Sequence, residues 1–211
     1  GATTTLNANI TTAGQDISIS DNVQIGDGLS ITLSTGAAAA GDISIVGTVN
    51  GTIDAGDDNL ALVSGTGSTT ITGAVGNVFG LGTLTLQSNT GTETGTVTFA
   101  DDVIANTITT FAQAYNIAIN KNATFTNPVT YANTGSLTLG QSASTQTYNG
   151  GLSATANSSR ILNGTIQTSD DSISFGAVTL GSNTSLDTNA TTTAGDLTIG
   201  AVTGATFNLT L

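Results

Sequence analysis

The chain has no cysteine, methionine, tryptophan or histidine, a single proline (Pro128), and only two basic side chains, Lys121 and Arg160. Each absence closes off a class of chemistry. Without cysteine there are no disulfides, thiol nucleophiles or thiolate metal sites, and the redox compartment stays open. Without histidine the chain lacks the side chain used most often for proton transfer near neutral pH and for transition-metal ligation. Two basic residues against 14 acidic ones give a net charge of -12, so nucleic acid and anionic membrane surfaces, which need clustered Lys and Arg, are not expected partners. No apolar run approaches the roughly 20 residues of a membrane helix, so no membrane insertion is expected. The chain opens on Gly1 with neither a basic n-region nor an apolar h-region, and any leader peptide is expected to have been removed already.

What is present is repetitive. Only 8% of residues are charged, but 37% are hydrophobic, and the remainder is mostly Thr, Ser, Asn and Gly. That balance supplies a core, polar strand faces and tight turns, so an ordered, soluble β protein is expected in place of a disordered chain. One phrase recurs from end to end: an acidic or small turn residue, an alternating apolar and Ser/Thr strand, then Gly. It occurs as Asp16-Ile17-Ser18-Ile19, Asp42-Ile43-Ser44-Ile45, Gly82-Thr83-Leu84-Thr85-Leu86, Gly95-Thr96-Val97-Thr98-Phe99, Gly135-Ser136-Leu137-Thr138-Leu139, Asp171-Ser172-Ile173-Ser174-Phe175 and Asp196-Leu197-Thr198-Ile199. The period of two puts one face of each strand in a core and the other in water. A unit this short buries its apolar face only by stacking on copies of itself.

Equivalent positions give the repeat length. Ile17 recurs as Ile43, Leu60 as Leu84, Val97 as Ile117, Ile117 as Leu137 and Ile173 as Leu197, a spacing of roughly 20–26 residues. With secondary strands between the main ones, these spacings predict an all-β parallel β-helix, or β-solenoid. It has roughly nine rungs of about 23 residues over residues 1–211 and is about 40 Å tall at 4.8 Å per rung. A pair of β-sandwiches is the alternative, since short alternating strands at intervals of about 10–12 residues also occur there. Pro128, lacking an N–H, is expected at a corner or at the first residue of a strand. Residues 141–160 depart most from the phrase and are expected to form the least regular rung or a lateral loop.

Few side chains suggest chemistry. Asp54, Asp57 and Asp58 form an oxygen-rich cluster around Gly56 and are the calcium candidate, with Asp101-Asp102, Asp170-Asp171 and Asp21 with Asp27 as lesser groups. The nonapeptide of calcium β-rolls and the EF-hand loop are both absent, and Asp before a strand ordinarily forms an Asx turn. No other cofactor is expected. Paired carboxylates also serve glycoside hydrolysis, but three Tyr, no Trp and two basic residues equip a sugar groove poorly, so the chain is read as no enzyme. Tyr115, Tyr131 and Tyr148 follow one another at a little under one rung, and could align on one face to bind a glycan or partner, or else cover a corner. Asn-x-Ser/Thr sequons at Asn9, Asn50, Asn122, Asn157, Asn163, Asn183, Asn189 and Asn208 matter only in a glycosylating host.

The run Asp42-Ile43-Ser44-Ile45-Val46-Gly47-Thr48-Val49-Asn50-Gly51-Thr52, with Asn59-Leu60-Ala61-Leu62, Ile71-Thr72-Gly73-Ala74-Val75-Gly76 and Leu81-Gly82-Thr83-Leu84-Thr85-Leu86, resembles filamentous-haemagglutinin-like large exoproteins and the passenger domains of autotransporter surface proteins. The resemblance is sharpest over residues 41–99. It implies a right-handed parallel β-helix, secreted or on a bacterial cell surface, that serves adhesion or acts as a stalk. It carries over no catalytic residues, and the haemagglutinin family's secretion module is not identifiable here.

The ends carry a further expectation. A solenoid that stops must cap its apolar rung to avoid edge pairing, yet this chain begins with strand-like alternation from Thr3 to Ile10 and finishes on Phe207-Asn208-Leu209-Thr210-Leu211. Either it is excised from a longer rod or identical neighbours cover its ends. The reading is a non-enzymatic extracellular structural protein, a homopolymer assembling end to end through Leu6, Ile10, Phe207, Leu209 and Leu211. The alternative is a segment of a monomeric adhesin whose lateral face binds a glycan or other cell-surface ligand.

Overall fold

The structure, a computed structural model, describes residues 1–53, 56–189, 195–204 and 206–211. Among them there is no helix. All strand pairings are parallel, and they join each strand to the one a turn earlier and a turn later. This is a parallel β-solenoid of nine turns with three faces. Exclusively parallel pairing rules out the β-sandwich, whose sheets are antiparallel.

The first face stacks Thr3–Leu6, Asn22–Ile25 and Val49–Asn50, a bridge at Val75, the start of Val103–Thr109, then Ala123–Phe125 and Thr145–Tyr148. It continues through the second halves of Ser159–Thr168 and Val178–Asp187 to Leu209–Thr210. The second face runs from Ile10–Thr11 through Ser30–Ser34, Asn59–Val63 and Leu81–Leu86 to the end of Val103–Thr109. It resumes at Val129–Thr130 and continues with Leu152–Ala154, Ile173–Phe175 and Leu197–Ile199. At the interruption, the Thr110 hydroxyl donates to the Thr130 carbonyl (3.0 Å) and accepts from the Ala132 N–H (2.8 Å). Pro128 stands just before Val129–Thr130, where its missing N–H is no loss.

The third face is the recurring phrase itself. Ile17–Ile19, Ile43–Ile45, Thr69–Ile71, Thr96–Phe99, Asn116–Ile119, Ser136–Leu139, the first halves of the two long strands and Val202–Thr203 lie in register. Its inward column reads Ile19, Ile45, Ile71, Phe99, Ile119, Leu139, Leu162 and Leu180, and from Ile45 onward all are buried. Such columns pack each apolar side chain against its equivalents above and below, which is how so short a repeat builds a core.

The turn residue of the phrase has its own role. Asp16 Oδ1 accepts the N–H of Asp42, Asp42 Oδ1 that of Ser68, and Asn116 Oδ1 that of Ser136, each one turn later. Asn9, Asn22, Asn59, Asn122 and Asn183 do the same for Thr32, Thr48, Thr83, Thr145 and Asn208. These side chains accept N–H groups of the following turn at and beside the corners, so the asparagines are structural ladder residues. Asn157 and Asn163, two of the sequon positions, are buried.

Residues 141–160 contribute the strands Thr145–Tyr148 and Leu152–Ala154, and their unusual sequence is a polar interior. Gln146 Nε2 donates to the carbonyls of Ile119 (2.9 Å) and Lys121 (3.1 Å). Arg160 sits over Leu137 in the third-face stack, 5% exposed, and its guanidinium donates to the carbonyls of Ala154, Thr155 and Ala177. Desolvation lowers its pKa from the ordinary value. The Thr3 to Ile10 alternation is two strands, because Asn7, Ala8 and Asn9 turn the corner between faces. Ile53, beside the acidic corner, is outside any strand and 76% exposed.

Candidate functional site

Two features stand apart from the regular stack: one acidic corner and the two end turns. At the corner between the first and second faces, Asp27 of one turn meets Asp57 and Asp58 of the next, with one carboxylate oxygen from each all within 4.8 Å of one another. Asp27 and Asp57 are exposed and Asp58 is fully buried. Asp54 lies outside the described residues. Spacing alone grouped Asp57 and Asp58 with Asp54 and put Asp27 with Asp21; the fold carries Asp27 to the cluster because its corner stacks directly on the next.

The Thr52 hydroxyl lies between two of the carboxylates, 3.0 Å from Asp27 Oδ1 and 2.8 Å from Asp58 Oδ2, and the Thr52 N–H also donates to Asp58 Oδ2 (2.5 Å). Gly51 makes room, since a Cβ there would stand 2.7 Å from Asp58 Oδ2. The other oxygen, Asp58 Oδ1, is buried and has no hydrogen-bond partner among the described residues. Neither basic side chain serves the cluster. Lys121 pairs with Asp101 at 2.8 Å on the surface and holds that carboxyl below its ordinary value, while Arg160 is spent on carbonyls. An ion pair as exposed as Lys121–Asp101 contributes little to stability.

The tyrosines form no binding face. Tyr115, Tyr131 and Tyr148 are fully buried. The Tyr115 hydroxyl donates to the Leu86 carbonyl (3.1 Å) and accepts the Phe111 N–H (3.0 Å). Tyr148 donates to Gln146 Oε1 (2.9 Å), with Tyr131 Oη 3.1 Å away. Desolvation raises all three pKa values, that of Tyr115 to about 12. The folded state therefore keeps protons that the unfolded chain releases above 10.0, so the tyrosines' contribution is whole below pH 10 and is lost as pH rises toward 12. Absorbance titration should show tyrosinate forming only together with unfolding; three tyrosines titrating near pH 10 in a chain that keeps its β circular dichroism would contradict the burial.

The end turns differ from the middle. Thr3–Leu6, Ile10–Thr11 and Ile17–Ile19 pair on one side only, as do Leu197–Ile199, Val202–Thr203 and Leu209–Thr210 at the other end. Leu6 is 6% exposed and Ile10 half-buried at the first end; at the last, Leu209 is half-buried, Phe207 41% exposed and Leu211 73% exposed. Ile19, Leu197 and Ile199, which occupy inward positions, are also only half covered. Comparison of the chain with protein-family models, with curated proteins and with solved structures finds no match.

Proposed function

We propose that the protein is a non-enzymatic extracellular structural element whose copies stack end to end into a fibre. The observation that carries this reading is the complementarity of the two end turns. Both have the same three-faced cross-section, and both present an unpaired parallel edge over half-covered apolar side chains, the arrangement that recruits another strand. The Asx ladder adds direction: in each of its eight bonds an Asp or Asn oxygen accepts an N–H from the following turn. A second copy continues that polarity only head to tail, a contact that propagates without closing. Strand addition at the joint would pair Thr3–Leu6, Ile10–Thr11 and Ile17–Ile19 of one copy with the last turn of the next. The resemblance to large bacterial exoproteins supports a place at the cell surface, and two basic residues leave few trypsin sites.

Deleting residues 207–211 tests the reading. These residues add only Leu209–Thr210 beyond the nine turns, so circular dichroism should stay near that of the parent while sedimentation shows loss of polymer. Polymers of unchanged length would overturn the assignment of these contacts. Saturable binding of the non-polymerising chain to cells or glycans would favour a lateral adhesive face instead.

A further inference from the structure

We infer that Asp27, Asp57 and Asp58 bind one calcium ion that clasps two successive turns of the solenoid. Three carboxylate oxygens within 4.8 Å of one another repel, and no basic side chain of the chain is free to offset them. Acidic clusters on surfaces occur without ions, but one observation here points to a ligand. It is Asp58 Oδ1, an acceptor that among the described residues is buried without a donor, in a residue that is 0% exposed. Such an atom forfeits its hydration and gains no hydrogen bond in return, a cost that a bound cation removes.

The donor set selects the ion. All donors are hard oxygens and the chain has no histidine or cysteine, which disfavours zinc and copper. Calcium accepts irregular oxygen cages at 2.3–2.6 Å and completes them with water; magnesium demands near-ideal octahedral geometry. Because Asp27 belongs to one turn and Asp57 and Asp58 to the next, the ion would link the two turns beside the Thr52–Asp27 bond. This inference does not depend on end-to-end assembly.

The test uses the full chain, stripped with chelator and titrated with calcium chloride. Calorimetry should show one site, and saturating calcium should raise Tm by about 5 °C or more. Asp27→Asn and Asp57→Asn replace exposed residues and should leave the fold intact while each weakens calcium affinity at least tenfold; Asp58→Asn should abolish binding. If Asp58→Asn fails to fold, the two exposed variants still decide. Magnesium chloride at equal concentration should shift Tm by less than half as much. No calcium heat and no shift in the parent chain overturn the site, as does full affinity in the Asp27→Asn, Asp57→Asn double variant. A larger response to magnesium than to calcium overturns the choice of ion.

Discussion

Gly95→Ala is expected to cost about 3 kcal/mol, lowering Tm by roughly 6–12 °C in a chain of this size. Gly95 enters the strand Thr96–Phe99, and a Cβ there would be driven into the Gly67 carbonyl of the preceding turn, nearer than real Cβ atoms come to backbone. The obstacle is main chain, which cannot rotate away as a side chain can. To admit the methyl group the two turns must separate, straining the bonds that Thr94 N–H (3.2 Å) and Gly95 N–H (3.4 Å) donate to Gly65 O and the register of Val97 over Thr69. Gly28→Ala is the control. Gly28 has φ +66° with open space around its Cβ position, so only the left-handed backbone is penalised, at about 1 kcal/mol. Equal losses for the two variants, measured by chemical denaturation, would mean that the turns are not in contact at Gly95.

Phe125→Ala should be as damaging, at about 3–5 kcal/mol, a large share of the roughly 5–15 kcal/mol typical of a folded domain. Phe125 is fully buried, stacked between Ala105 and Tyr148, with its ring centroid 5.5 Å from that of Tyr148. Ala105 below it is already small, so the wall cannot collapse from that side, and above it Tyr148 is tied to Gln146 and Tyr131. The cavity should therefore persist. Leu197→Ala in the last turn should cost less, because Leu197 is only half-buried and packs against a single neighbouring turn. A loss below about 1 kcal/mol for Phe125→Ala would show that the interior column is not packed as described.

Much of the fold was legible because the repeat is local and its register leaves a mark in the chain. The pairs inferred from spacing, Ile17 with Ile43, Leu60 with Leu84, Val97 with Ile117, Ile117 with Leu137 and Ile173 with Leu197, are Cα partners in the structure. A one-residue slip would turn every such side chain outward, so alternation and spacing together determine the stack. The place of the tyrosines, left open between a binding face and a corner cover, was not legible because spacing near one rung says nothing about which side of a strand a residue occupies. Tyr148 points inward, and its hydroxyl is tolerated there only because Gln146, on the same face of the same strand, supplies an acceptor. Asp27 was harder still. It precedes Asp57 by more than the nominal rung, because turn length varies along the solenoid: the turn from Val97 to Ile117 is short, and the turn from Thr69 to Val97 is much longer. Corner residues inherit that variation, whereas strands are kept in register by their hydrogen bonds.

The proposal that copies of this parallel solenoid join end to end is tested most directly by negative-stain electron microscopy of the purified chain beside the chain lacking residues 207–211. Long uniform fibres from the first and separate rods about 40 Å tall from the second are the expected images. Separate rods from both, at concentrations well above those used for folding measurements, would contradict it.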